Sequence, residues 1–181
     1  TITAKPKTIA ASKDYSAKER TKKTAVVKEP AANSTLTFNG FKEDWEKAET
    51  LEQLNKMICN CTKCVLHKGR NKFVFGSGNP NAKVIVIGEG PGAEEDKQGL
   101  PFVGRAGQLL TDILKAIKFS REEVYIGNIV KCRPPDNRTP LPAEMDTCLP
   151  YLKKQIELIQ PKLILCLGLT AAKGLLKKKD S

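Results

Sequence analysis

The sequence predicts an α/β fold: a short parallel sheet with helices on both faces, entered from a basic arm that takes no part in it. Three observations predict this. Beyond residue 80, β-branched apolar runs alternate with segments whose apolar residues recur at helical spacing. The first of the strand-like runs, VIVI at 84–87, is continuous rather than alternating, as a strand covered on both faces requires. Finally, residues 1–40 carry eight Lys or Arg against three Asp or Glu, with only Tyr15 and Phe38 as aromatics. That is too little apolar surface to offset the entropy of ordering.

Taken in order, residues 1–40 read as a disordered basic arm and residues 41–181 as one domain. Order begins with a helix near residue 42. Thr50 and Gln53 fit a capping box, and Leu51, Leu54 and Ile58 follow on one face. This helix runs into CNCTKC, residues 59–64. Residues 84–87 (VIVI) form the first strand, followed by a Gly/Pro/acidic loop over 88–104. A helix over 106–118 places Leu109, Leu110, Ile113, Leu114 and Ile117 along one stripe. Ser120 and Glu123 suggest a further cap. Residues 124–130 form the second strand, and the loop CRPPDNRTPLP leads to a helix over 143–159. Residues 163–167 form the third strand, and a last helix starts at 170. A βαβαβα order gives a parallel sheet whose function sits at the C-terminal strand ends. That singles out Gly88, Glu89 and Gly90, and the stretch 128–138.

The net charge of +11 divides into +5 over residues 1–40 and +6 over the rest. A polyanionic partner fits both parts, although solubility alone also favours such a charge. No apolar run reaches the length of a membrane-spanning helix, and the N-terminus has no signal-peptide pattern. A cytoplasmic monomer is expected. With no initiator Met, the chain is expected to be processed or a fragment.

Six cysteines stand at 59, 61, 64, 132, 148 and 166. Without a secretion signal, a metal or cluster site is a better first reading than disulfides. Cys61 and Cys64 form a C-x2-C pair; Cys132 falls just past the second strand and Cys148 in the next helix. Four thiolates suit a tetrahedral zinc or a cubane iron–sulfur cluster, and the spacing does not choose between them. Four separate buried thiols are the plainer alternative. Cys59 competes with Cys61 as a ligand, while Cys166, inside LILCLG, reads as a core residue.

The loop VIVIGEGPGAEED fits a dinucleotide fingerprint only formally. Glu94, Glu95 and Asp96 occupy the helix start where a pyrophosphate would bind, and Pro91 removes an amide donor. The loop instead offers Glu89 and the Gly90 backbone to a small neutral ligand. Phe102, in GLPFVG, offers a ring on which a base can stack, or an apolar anchor. Asn128 offers an amide able to pair with a base edge, or a satisfied turn residue.

Together these residues resemble family 4 of the uracil-DNA glycosylases, the iron–sulfur branch of that superfamily. The resemblance runs through GEGPGAEEDKQGLPFVGRAGQLL and NIVKCRPPDNRTPLPAEMDTC with the C-x2-C upstream, over about residues 50–177. It implies a three-layer α/β/α fold with a short parallel sheet. It implies a [4Fe–4S] cluster on Cys61, Cys64, Cys132 and Cys148, mainly structural in role. It also implies that the substrate is uracil-containing DNA, hydrolysed at the N-glycosidic bond to leave an abasic site. In that family, Glu89 and Gly90 match the first active-site motif, beside the scissile bond and the uracil. Phe102 matches the ring stacked on the extruded uracil, Asn128 the amide that reads its edge, and Glu95 a position linked to excluding the thymine methyl.

The resemblance stops at the family's second active-site motif, a His-Pro loop beyond its fourth strand, which has no counterpart here. His67, the only histidine, lies beside the cysteines instead. The expectation is a piece of a longer glycosylase. The alternatives are a short inactive relative, a non-catalytic DNA-binding iron–sulfur module, or a zinc-binding interaction domain.

Overall fold

The computed structural model describes residues 43–176. The arm expected over residues 1–40 lies outside them.

Helix α1, Leu51–Ile58, starts where the capping signal stands. Gln53 N–H donates to Thr50 Oγ1 at 3.1 Å, while Gln53 Oε1 accepts from Glu49 N–H at 3.0 Å. Leu54 and Ile58 are fully buried, each contributing about 1.5–3 kcal/mol of hydrophobic stabilisation. The sheet has four strands among the described residues: β1 (Ser77–Gly78), β2 (Val84–Gly88), β3 (Tyr125–Asn128) and β4 (Leu163–Cys166), in the order β1-β3-β2-β4. The three predicted strands are β2, β3 and β4. They are parallel, with Gly88 level with Asn128 and Ile87 level with Cys166. The two-residue β1 pairs antiparallel with β3; it is too short to carry any periodicity.

Three helices cover one face: α1, α4 (Pro142–Ile159) and α5 (Leu169–Leu176). Leu54, Ile58, Leu149, Leu152 and Ala171 pack with Ile85, Ile87 and Ile129. The opposite face is covered by α3, Arg105–Ala116, through Leu110 and Leu114 against Val86, Val124 and Ile126. The layers are therefore α/β/α. The expected stripe on α3 is only partly buried, because Leu109, Ile113 and Ile117 face outward. Ser120 and Glu123 cap a turn rather than a helix: Ser120 N–H donates to Glu123 Oε2 at 2.8 Å. The glycine-rich loop contains a short helix, α2, Ala93–Gln98. No helix among the described residues is long and apolar enough to cross a membrane.

Candidate functional site

The ends of β2 and β3 diverge into two loops that face each other. Pairing continues briefly past the strands, with Ile129 N–H on Gly88 C=O (2.9 Å) and Val130 N–H on Glu89 C=O (3.1 Å). Glu89 and Gly90 are thereby fixed beside Ile129 and Val130. Pro134 and Pro140, from the loop after β3, pack close to Gly90.

Asn128 closes β3 with its side chain buried, and its Oδ1 is the single buried side-chain polar atom without a partner among the described residues. Buried acceptors are nearly always satisfied, and an orphan costs about 1–3 kcal/mol. Phe102 approaches the same point. A Cβ built on Gly88 would lie 2.5 Å from Asn128 Oδ1 and 2.5 Å from Phe102 Cζ. Only a glycine lets the ring and the amide meet over the end of β2. The Glu89 carboxylate is half-buried there, with no hydrogen bond or ion pair among the described residues.

Glu95 is engaged differently. Its carboxylate accepts from the backbone N–H groups of Gly92 (3.1 Å), Val103 (2.9 Å) and Gly104 (2.8 Å). It caps α2 and ties down the segment that presents Phe102. Next to it, the fully buried Asp96 accepts from Asn71 N–H at 2.9 Å and from the Asn71 side-chain amide.

Asn71 follows Arg70, which leads to the cysteines. Arg70 Nη1 donates to Cys132 Sγ at 3.1 Å and to Cys61 C=O at 2.7 Å, and Nη2 reaches Cys59 C=O at 3.5 Å. Tyr151 Oη donates to Cys61 Sγ at 3.3 Å, and Lys131 N–H to Cys148 Sγ at 3.3 Å. Cys64 stands three residues after Cys61 in the same loop, and Lys131, which bonds to Cys148, directly precedes Cys132. Four cysteines from the loop after α1, the loop after β3 and α4 thus share one neighbourhood. Burial pushes the Cys148 thiol up to about 12 and that of Cys132 upward, opposed by Lys131 and Arg70 respectively. All six cysteines are free. Among the described residues, no three His, Cys, Asp or Glu side chains converge tightly enough to hold one metal ion.

Cys59 does not join them. Its thiol turns back onto Lys56 C=O at 3.6 Å, as the C-terminal cap of α1. His67 Nδ1 donates to Cys64 C=O at 2.7 Å, a local contact in the cysteine loop. Cys166 is half-buried at the end of β4 and packs against the larger core.

Sequence reasoning missed four residues: Arg70, Asp96, Arg121 and Lys131. Lys131 is fully buried and donates to Gln155 Oε1 at 2.6 Å, and Gln155 Nε2 donates to Phe75 C=O and Tyr125 Oη. Burial lowers the Lys131 pKa to about 8. A Lys directly before a candidate ligand was a weak signal for it; the other three had none beyond charge.

The α/β/α domain thus sets a buried, unpartnered amide oxygen and an aromatic ring side by side at its strand ends. The chain belongs to the uracil DNA glycosylase superfamily, whose family model matches residues 75–180. Within it, the chain is similar to type-4 uracil-DNA glycosylases. It is 50% identical over 127 residues to that of Thermotoga maritima, covering 70% of this chain and 66% of the relative. It is 50% identical over 127 residues to that of Pyrobaculum aerophilum, covering 70% and 65%. To that of Archaeoglobus fulgidus it is 49% identical over 124 residues, covering 68% and 62%. The chain thus spans just under two thirds of the length of these relatives.

Proposed function

We propose that the chain carries the uracil-recognising part of a DNA repair glycosylase that hydrolyses the N-glycosidic bond of uracil in DNA. The observation that carries this is the buried, unpartnered Asn128 Oδ1 beside the Phe102 ring.

A base must leave the stack before its glycosidic bond is accessible, at a cost of a few kcal/mol. Stacking on Phe102 returns about 1–3 kcal/mol. Asn128 Oδ1 accepts from uracil N3–H, and its Nδ2 donates to uracil O4. Cytosine reverses both polarities and leaves buried groups unpaired, at about 1–3 kcal/mol each. The Gly90 backbone lies beside the base, and the free Glu89 carboxylate holds the attacking water and faces the developing positive charge of the sugar. The C1′–N1 bond breaks with its electron pair going to uracil. Water oxygen adds to C1′ and keeps one proton as the new C1′ hydroxyl, while its other proton passes to the uracil anion, directly or through solvent. Glu95, saturated by three backbone amides, acts on the base through the loop that it holds.

Cys61, Cys64, Cys132 and Cys148 fit a [4Fe–4S] cluster. Three of the four sulfurs, those of Cys132, Cys61 and Cys148, accept hydrogen bonds from Arg70, Tyr151 and Lys131 respectively, as ligated thiolates do from their outer shell. When bound, such a cluster supplies a cross-link between three remote segments of the chain. A cytoplasmic setting on DNA, as a monomer, accords with six free thiols and a net charge of +11.

The test uses end-labelled single strands with one deoxyuridine, read by alkaline scission and by binding. Scission at uracil, or tighter binding of the uracil strand than of a cytosine control, is expected. Neither scission nor preference would reject the assignment. A broad visible absorption band that disappears on oxidation with ferricyanide is expected for the cluster; a colourless protein carrying zinc would reject it.

A further inference from the structure

We infer that Arg121 is a positioning residue for base recognition, holding the strained backbone from which Phe102 projects. The inference rests on the reading of Phe102 as the stacking ring. Phe102 has φ +53°, a left-handed conformation that a bulky residue adopts only when its surroundings enforce it. Three groups enforce it. On the chain's far side, Glu95 accepts from the amides of Val103 and Gly104. Beneath, Gly107 leaves room: a Cβ there would lie 1.9 Å from Phe102 C=O oxygen.

Arg121 is the third, and it comes from a different element, the turn that precedes β3. Its Nη2 donates to Pro101 C=O and its Nη1 to Phe102 C=O, both at 2.9 Å. Nη1 also lies 3.3 Å from Thr111 Oγ1, which donates to Gly107 C=O at 2.9 Å. One planar fork thus grips two successive carbonyls and locks them to α3. A lysine, with a single ammonium, cannot reproduce that geometry. The two carbonyls flank the rotation that aims the ring at Asn128, so Arg121 selects the orientation in which the ring covers the amide.

The experiment measures affinity for two single strands, one carrying an uncleavable 2′-fluoro-2′-deoxyuridine and one carrying thymidine at the same position. Phe102→Ala is the reference and is expected to lose about fivefold or more of the uracil preference. Arg121→Met and Arg121→Lys are both expected to lose a comparable factor, with the circular dichroism unchanged. Arg121→Lys should leave affinity for the thymidine strand at the parental level. Gly107→Ala, which displaces the same carbonyl while Arg121 is intact, should mimic them and decides the matter if Arg121→Met fails to fold. If Arg121→Lys keeps the parental preference, or if Arg121→Met weakens both strands equally, Arg121 is only a phosphate-attracting charge and the inference fails. If Phe102→Ala itself keeps the preference, the stacking reading fails and takes this inference with it.

Discussion

Replacing Asp96 by alanine tests how the cysteine site is connected to the base pocket. The Asp96 carboxylate is completely buried in α2 and accepts two good hydrogen bonds from Asn71. A third approach, from Lys72 N–H at 3.4 Å, is too long to count for much. Hydrogen bonds to a buried charge contribute about 1.5–3 kcal/mol each, so Asp96→Ala should cost about 3–5 kcal/mol. That is a large fraction of the ~5–15 kcal/mol that holds a typical domain together. At a urea slope of ~1–3 kcal/mol/M, the unfolding midpoint should fall by about 1 M or more. Asp96→Asn keeps one acceptor for Asn71 N–H but sets an NH2 against the Asn71 amide, so it should lose roughly half as much. Asn71 follows Arg70 on the sulfur side, and Glu95 precedes Asp96 on the pocket side. Hydrogen exchange at the Val103 and Gly104 amides should therefore quicken in Asp96→Ala along with the stability loss. A midpoint within about 0.2 M of the parent, or equal losses for Asn and Ala, would refute the account of Asp96 as the tie between the two sites.

Gly88→Ala should leave the fold intact, because its Cβ would meet only the far ends of the Phe102 and Asn128 side chains, which can rotate away. It should nonetheless reduce uracil preference about tenfold, since its Cβ falls 2.5 Å from both recognition groups and stacking alone supplies ~1–3 kcal/mol; paired affinities for uracil and thymine strands check this. The Arg138–Glu144 pair predicts a pH dependence. Glu144 is buried and bidentate with Arg138 at 2.9 and 2.7 Å, and the Arg138 hydrogen bonds hold its pKa below the usual 4.5. A depressed folded-state pKa stabilises above the unfolded value and ceases to do so as pH falls through the folded one. The stability difference between the parent and Glu144→Gln, measured by urea unfolding, should thus be full at pH 7 and shrink steadily below about pH 4.

The strands and most helices were legible because their signal is local. The run VIVI needs cover on both faces wherever it lies, and Thr50 with Gln53 caps a helix without help from the rest of the chain. The C-x2-C pair and the motifs around Glu89, Phe102 and Asn128 were legible for the same reason: the chemistry is written in neighbouring residues. The stripe on α3 shows the limit. Its five apolar residues are equivalent in sequence, but only Leu110 and Leu114 meet the sheet.

What the sequence determined by itself was the set of elements, their parallel order and the candidates at the strand ends. Tertiary structure alone decided which thiols share a neighbourhood, that Cys59 turns away, and that Asn128 Oδ1 is left without a partner. It also decided what holds the pocket open: Arg70, Asp96 and Arg121 each act on groups from 9 to 62 residues away at the far end of their hydrogen bonds. The reason is physical. A propensity or a cap is set by residues within a turn or two, whereas a buried charge gains its role only from the acceptor or donor that folding brings to it.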